Sequence, residues 1–194
     1  AGQEDVHQNH IEGLPARGMG MTGAALLAAS AALRAGAGRV MLSLLDGGLM
    51  THDAQQPECM LRRFDALALE DLTVVCGCGG GLAVRPVLPA VLRRAARLVL
   101  DADALNAVAE EPALQALLRD RSLGGGQPTV LTPHPLEAAR LLGCSTADIQ
   151  SDRLAAAQAL AQRYHSAVVL KGSGSVVAAP GETLDVGDAD LLWV

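Results

Sequence analysis

Four short stretches hold the side chains best suited to chemistry, and each follows an aliphatic run. GCGGG, Gly77 to Gly81, leaves TVVC with almost no side-chain bulk, so backbone there can approach a ligand closely or simply turn tightly. Its spacing fits neither GxGxxG nor a Walker loop. DADALN puts two carboxylates at the end of an aliphatic run, where they could hold a metal, position a hydroxyl or cap the helix that follows. Of the pair, Asp103 is expected to cap and Asp101 to face a ligand. His134 stands between Pro133 and Pro135, which narrow the local backbone. A histidine held there could donate to an anionic or hydroxylated ligand, or close a loop by hydrogen bonding. Lys171 precedes Gly172, Ser173, Gly174 and Ser175. Small residues expose backbone N–H groups, and an ammonium beside them suits phosphate. The plainer alternative is a solvated lysine opening a hairpin.

No two of the five histidines form a metal pattern, and His7, His10, His52 and His165 lack a setting like that of His134. Among Cys59, Cys76, Cys78 and Cys144, only Cys76 and Cys78 lie close, with one residue between them. Metal knuckles need about two to four. Reduced thiols in a cytoplasmic protein are expected, a Cys76–Cys78 redox couple being the alternative.

The elements around these stretches alternate. Thr22 can cap a helix over TGAALLAASAALRAG, which Gly36 and Gly38 close. RVMLSL, Arg39 to Leu44, reads as a strand. Met50 to Arg63 reads as a loop, with a short helix then running toward Leu69. Thr73 to Cys76 is a strand entering the glycines, and Pro86 to Ala96 a helix. RLVLDAD is a strand ending in the two acids, followed by helices over Ala104 to Glu110 and Pro112 to Arg119 and a turn at Gly124 to Gly126. TVLT is a strand meeting Pro133. Pro135 and Glu137 fall in the first turn of the next helix, where a proline and a negative charge are favoured. Asp152 to Tyr164 is a helix burying Leu154 and Leu160. AVVLKG and SVVAAP form a hairpin, and Thr183 to Val186 one more short strand. Ala1 to His10 reads as frayed and Ile11 to Met21 as a loop.

Solid aliphatic strands between helices predict an α/β sandwich whose mostly parallel central sheet is covered by helices on both faces, with right-handed crossovers. Ligands in such folds bind beyond the carboxyl ends of the strands, where all four stretches fall.

Composition agrees with this class. The 194 residues suit one domain, 1–194, and 50% hydrophobic against 19% charged content excludes a mainly disordered chain. A net charge of -6 argues against a nucleic-acid partner. The only aromatics are Phe64, Tyr164 and Trp193, which removes most base-stacking platforms and leaves an aliphatic core of 35 Ala and 32 Leu. No apolar run reaches the roughly 18 residues of a membrane span, and no ordinary signal peptide is read at the start.

MTGAALLAASAALRAGAGRV, DADALN, TPHPLEAARLLGCS and VVLKGSGSVVA together resemble the ADP- or ATP-dependent NAD(P)H-hydrate dehydratases of the ribokinase-like superfamily, from about Gly18 to about Ala189. The resemblance implies a ribokinase-like three-layer sandwich and a hydro-lyase that repairs nicotinamide cofactors, removing water from NADHX or NADPHX to restore NADH or NADPH. ADP or ATP, with Mg2+, would be the cosubstrate that phosphorylates the leaving hydroxyl before phosphate is eliminated. Carried over residue by residue, Ala24 and Gly79 line the hydrate pocket and His134 contacts the hydrated cofactor. Asp101 and Asn106 shape the cleft. Lys171, Gly172, Ser173, Gly174 and Ser175 hold the nucleotide phosphates. Small-molecule substrates, homo-oligomeric assembly, a fused or separate NAD(P)HX epimerase and a cytoplasmic setting follow from the same resemblance.

Several positions depart from the family pattern. GPGLG is here GCGGG, with Cys78 and Gly80 exchanged in. TPHPGE is TPHPLE, which adds Leu136, and Gln56 replaces an arginine. The opening strand shrinks to Ile11 to Arg17, so 1–17 is read as divergent or frayed, with only His7 matching an HKG start. The GGxGD segment that carries the family's catalytic Asp is not found before Val194; Asp188 of DVGDADLLWV stands where the family has Asn. The expectation is therefore a fold incomplete at its C-terminus, with no catalytic residue assigned, in a fragment or weakened copy of such an enzyme. The alternatives are a catalytically inactive nucleotide-binding or assembly protein of this fold, and a ribokinase-like small-molecule kinase.

Overall fold

The computed structural model describes residues 22–45, 50–124 and 126–181. The readings made for Ala1 to Met21, for the strand at Thr183 to Val186 and for Asp188 lie outside these residues. Helix α1 spans Thr22–Arg34, and Gly36, at φ 98°, turns the chain out of it. Strand β1, Met41–Leu42, pairs in parallel with β2, Met60–Leu61. The strand read over Arg39 to Leu44 is thus reduced to its centre. β2 lies where a loop is predicted, because its two residues gain strand geometry only from the neighbour that they pair with. Ala29, Leu42 and Cys59 bury together and join α1 to this pair. Gln56 Nε2 donates to Ser30 Oγ at 2.7 Å, which anchors the loop before β2 to the same helix.

The main sheet has five strands in the order β3, β4, β5, β6, β7: Thr73–Cys76, Arg97–Leu100, Thr129–Leu131, Ala167–Leu170 and Val176–Ala178. The first four are parallel, and β7 turns back antiparallel to β6 as the hairpin reading expects. Between β3 and β4 runs α2, Leu88–Arg94, shorter than the predicted Pro86 to Ala96. Between β4 and β5 run α3, Ala102–Glu110, and α4, Pro112–Gly124. Between β5 and β6 run α5, Pro135–Leu142, α6, Thr146–Ser151, and α7, Arg153–Tyr164. Helix α6 is missed in the sequence reading; Ser145 and Asp148 build a capping box at its start, the signal that could have revealed it.

The architecture is a mixed α/β sandwich with a parallel central sheet flanked by helices. Burial along the strands alternates although their sequence does not. Leu98, Leu100, Leu131, Val168 and Leu170 are fully buried and pack on Leu105, Leu118, Ala138 and Leu160 of the helices. Val99, Val130 and Val169, on the other face, are half-buried. Tyr164 is completely buried at the end of α7, and its hydroxyl donates to the Leu141 carbonyl at 3.2 Å, joining α7 to the last turn of α5. Tyr164→Phe removes that donor and strands a buried carbonyl, so urea denaturation is expected to show about 1 to 2 kcal/mol of lost stability; an unchanged midpoint would refute the linkage.

Candidate functional site

Because β3 to β6 are parallel and adjacent, their carboxyl ends lie side by side along one edge. Gly77 follows β3, Asp101 follows β4, Thr132 follows β5 and Lys171 follows β6. Main-chain bonds step across this edge from strand to strand: Asp101 N to Cys76 O at 3.0 Å, Thr132 N to Leu100 O at 3.0 Å, and Lys171 N to Pro133 O at 2.8 Å. Three of the stretches read as candidate sites, and the histidine beside Pro133, are thereby brought together.

Asp101 is the junction. Its Oδ1 accepts from Lys171 Nζ at 2.6 Å and from Thr132 Oγ1 at 2.9 Å, and the Cys78 thiol lies 3.6 Å from Oδ2. Burial alone would raise the Asp101 pKa, but the hydrogen bonds from Lys171 and Thr132 outweigh it and hold the carboxyl below its ordinary value. Burial raises the Cys78 thiol, and the Asp101 charge adds to that rise. Cys76, deeper, is pushed up to about 12 by burial, so both sulfurs are protonated and poorly nucleophilic at neutral pH. All four cysteines are free thiols.

The capping role expected of Asp103 is corrected. Asp101 occupies the N-cap position of α3, and its side chain makes no cap hydrogen bond. Asp103 Oδ2 instead accepts from Gly81 N at 2.8 Å and ties down the glycine loop. Gly77 sits at φ 116°, and a Cβ there would run into the Asp101 carbonyl oxygen and lie 2.8 Å from Ala104 Cβ. The glycine is thus required by the close passage of β3's end over the start of α3.

His134 caps α5. Its Nδ1 accepts from Leu136 N at 3.1 Å and Glu137 N at 3.3 Å, while Glu137 Oε2 accepts from His134 N at 2.8 Å. With Nδ1 accepting, the ring proton sits on Nε2, 3.2 Å from Glu137 Oε1. The loop-closing alternative therefore describes both ring nitrogens, although the side chain remains 46% exposed beside the strand ends. Asn106 accepts from Arg140 Nη1 at 2.6 Å and is tied to α5.

A cavity of about 570 Å3 lies between α1, β1 and β3 and reaches the glycine loop through Gly77, Cys78, Gly79 and Gly80. Ala25, Ala28 and Ala29 line it from α1, whereas Ala24 is exposed and does not. Thr132, a direct partner of Asp101, is passed over in the sequence reading; its place at the end of TVLT, beside the DADALN strand, is the signal that could have found it.

The match to the family described as NAD(P)H-hydrate dehydratase spans residues 18–190. The chain belongs to that family. The family's curated relatives include the ADP-dependent (S)-NAD(P)H-hydrate dehydratase of Neisseria meningitidis serogroup B, 37% identical over 96% of this chain and 64% of that protein. The bifunctional NAD(P)H-hydrate repair enzyme Nnr of Escherichia coli K12 is 39% identical over 88% of this chain and 32% of that one. A crystal structure of the ADP/ATP-dependent NAD(P)H-hydrate dehydratase from Bacillus subtilis, co-crystallised with ATP and Mg2+, superposes with a TM-score of 0.64 at 28% identity, covering 89% of this chain and 59% of that one. The chain thus spans less than two thirds of the length of each of these family members.

Two outcomes follow from the geometry. Gly77→Ala combines a left-handed backbone with a backbone clash and is expected to cost about 3 kcal/mol or more in urea denaturation. Gly81→Ala, at φ 52° with open space around it, should cost about 1 to 2 kcal/mol, from the backbone alone. Equal losses would contradict the packing described. The lowered pKa of Asp101 also has a pH signature. Its ionised form stabilises the fold fully above the unfolded value of about 3.9, and that contribution drains as pH falls through the lower folded value. The stability difference between wild type and Asp101→Asn should therefore be flat near neutrality and shrink only below about pH 4; a difference that shrinks between pH 5 and 7 would contradict it.

Proposed function

We propose that this chain, read as the single domain 1–194, binds ADP or ATP and the hydrated nicotinamide of NADHX or NADPHX for ADP-dependent dehydration back to NADH or NADPH. The carrying observation is that the Lys171 ammonium, the loop from Gly172 to Ser175 and the Gly77 turn lie along one edge of the parallel sheet, at the ends of β6 and β3, with Asp101 at the end of β4 bonded to Lys171. The family match and the ATP/Mg2+ co-crystal of the Bacillus protein support the choice of ligand. When phosphoryl transfer converts the ring hydroxyl into a phosphate ester, the departing group is phosphate rather than hydroxide, and AMP is released from ADP.

The residues present fit a nucleotide. Lys171 and small residues with exposed backbone offer positive charge and N–H donors to phosphate oxygens. Asp101 holds Lys171 at a set place, so the cation is positioned before the anion arrives. Among the described residues no group of three or more His, Cys, Asp or Glu side chains converges. Mg2+ would accordingly enter on the phosphates, as is usual for this ion. Gly79 is assigned to the hydrate pocket as part of the lining of the cavity beside β3. His134 and Asn106 do not line that cavity; they are assigned to the substrate side of the strand ends by the family resemblance, His134 with its ring 46% exposed. For Ala24, the structure offers no contact with the cavity. Asp101 and Asp103 are both engaged, with Lys171 and with the Gly81 amide, so neither is assigned as the base on the hydroxyl.

Among the described residues no helix is long and apolar enough to cross a membrane. Four free thiols suit a reducing, cytoplasmic setting, and homo-oligomeric assembly and a fused or separate epimerase belong to the same proposal.

Isothermal titration with ADP, followed by the return of the reduced nicotinamide's near-ultraviolet absorbance from NADPHX, tests the proposal. ADP should bind, and Lys171→Met should raise its Kd about tenfold or more, equivalent to about 1.4 kcal/mol. Binding without regeneration of NADPH would favour a non-catalytic nucleotide binder of this fold. Absence of any heat or thermal shift with ADP and NADPH would refute both readings.

A further inference from the structure

Asp152 caps α7 through its side chain, which accepts from Ala155 N at 2.9 Å, and this places Arg153 at the first helical position. Side chains on a helix lean toward its N-terminus, so Arg153 reaches out of α7 over the link between β6 and β7. There its guanidinium donates to four main-chain carbonyls: Leu170 at 3.1 Å and Lys171 at 3.2 Å from Nη2, and Ser173 at 2.8 Å and Gly174 at 2.9 Å from Nη1. The link follows the guanidinium so closely that a Cβ on Gly172 would lie 2.6 Å from Nη2.

These four bonds determine where the loop's amides point. In a planar trans peptide the N–H lies opposite the preceding C=O, and none of the described peptides is cis. Carbonyls drawn inward onto Arg153 therefore turn the N–H groups of Lys171, Gly172, Gly174 and Ser175 outward. That of Lys171 is taken by Pro133 O, at 2.8 Å. The other three donate to no backbone carbonyl among the described residues and belong to half-exposed or exposed positions. Outward amides beside a lysine form an anion-binding concavity.

We propose that Arg153 is the positioning residue of this phosphate-binding loop: it gathers the loop's carbonyls on one side so that the amides of Gly172, Gly174 and Ser175 present as a set to the phosphates of the nucleotide, without touching the phosphates itself. The role rests on the reading of the Lys171 loop as the phosphate site. It also requires arginine in particular. A planar fork of N–H donors spans four carbonyls, whereas a lysine ammonium has three donors at one point.

The test uses the full chain, with Arg153→Lys keeping charge and stem and Arg153→Ala removing both. In amide proton–nitrogen spectra without ligand, R153K should shift the signals of Gly172, Gly174 and Ser175 and leave those of β4 and α3 in place. In the wild type, ADP should move the same three signals. R153K should raise the Kd for ADP about tenfold or more although the charge is retained. Millimolar guanidinium should restore part of the affinity of R153A, and methylammonium should not. ADP bound by R153K within twofold of wild type, or loop amides unmoved by R153K, would overturn the role of Arg153 alone. Loop amides that respond to R153K while ADP leaves the wild-type spectrum untouched would overturn the phosphate reading, and this role with it. Where R153A does not fold, R153K carries the test.

Discussion

The carboxylate of Asp101 joins what would otherwise be independent strand ends. It stands after β4, yet its partners come from three other places: Lys171 after β6, Thr132 after β5 and Cys78 after β3. A half-buried carboxylate must be compensated, and here a cation and a hydroxyl do so at short distance. The same contacts settle where the ammonium of Lys171 sits. The charge on which a phosphate would depend is therefore held by the sheet's own geometry, without relying on a mobile side chain.

Around that junction, each loop is shaped by a different device. The glycine loop after β3 is tied by Asp103 and leaves no room for a side chain at Gly77. The turn after β5 is stiffened by Pro133 and Pro135 and closed by the His134–Glu137 capping box. The link after β6 is wrapped on Arg153. In all three, main-chain groups are satisfied toward the body of the domain, so backbone can be offered at the edge without disorder. Under the proposed function, this edge would be preorganised for a ligand, which suits a reaction in which positioning and charge stabilisation do most of the work.

Much of this was legible beforehand. The strand Thr73 to Cys76 and the strands in RLVLDAD and AVVLKG stand out because aliphatic β-formers run between glycines, prolines and helices, although the last two stop earlier than read, at Leu100 and Leu170. The helix after Pro135 was visible through its proline and its glutamate. The pairing of Met41 with Met60 was not, since two residues carry no periodicity to detect. Nor was the alternating burial along β4 to β6, because a uniformly aliphatic strand does not say which of its faces lies deeper.

The amino-acid order by itself determined which residues come just after each strand: glycines, paired acids, a proline-bracketed histidine, and a lysine before small residues. Local propensity and turn chemistry act over a few neighbours, and that much can be read along the chain. Tertiary structure alone decided the partners. It made Asp101 rather than Asp103 the N-cap residue of α3, turned Asp103 onto the Gly81 amide, engaged both nitrogens of His134 in its own helix, and brought Arg153 beneath a loop about twenty residues further on. Those outcomes depend on strand register and on the angle at which helices cross back over the sheet, and both are set by packing between segments that are distant in sequence.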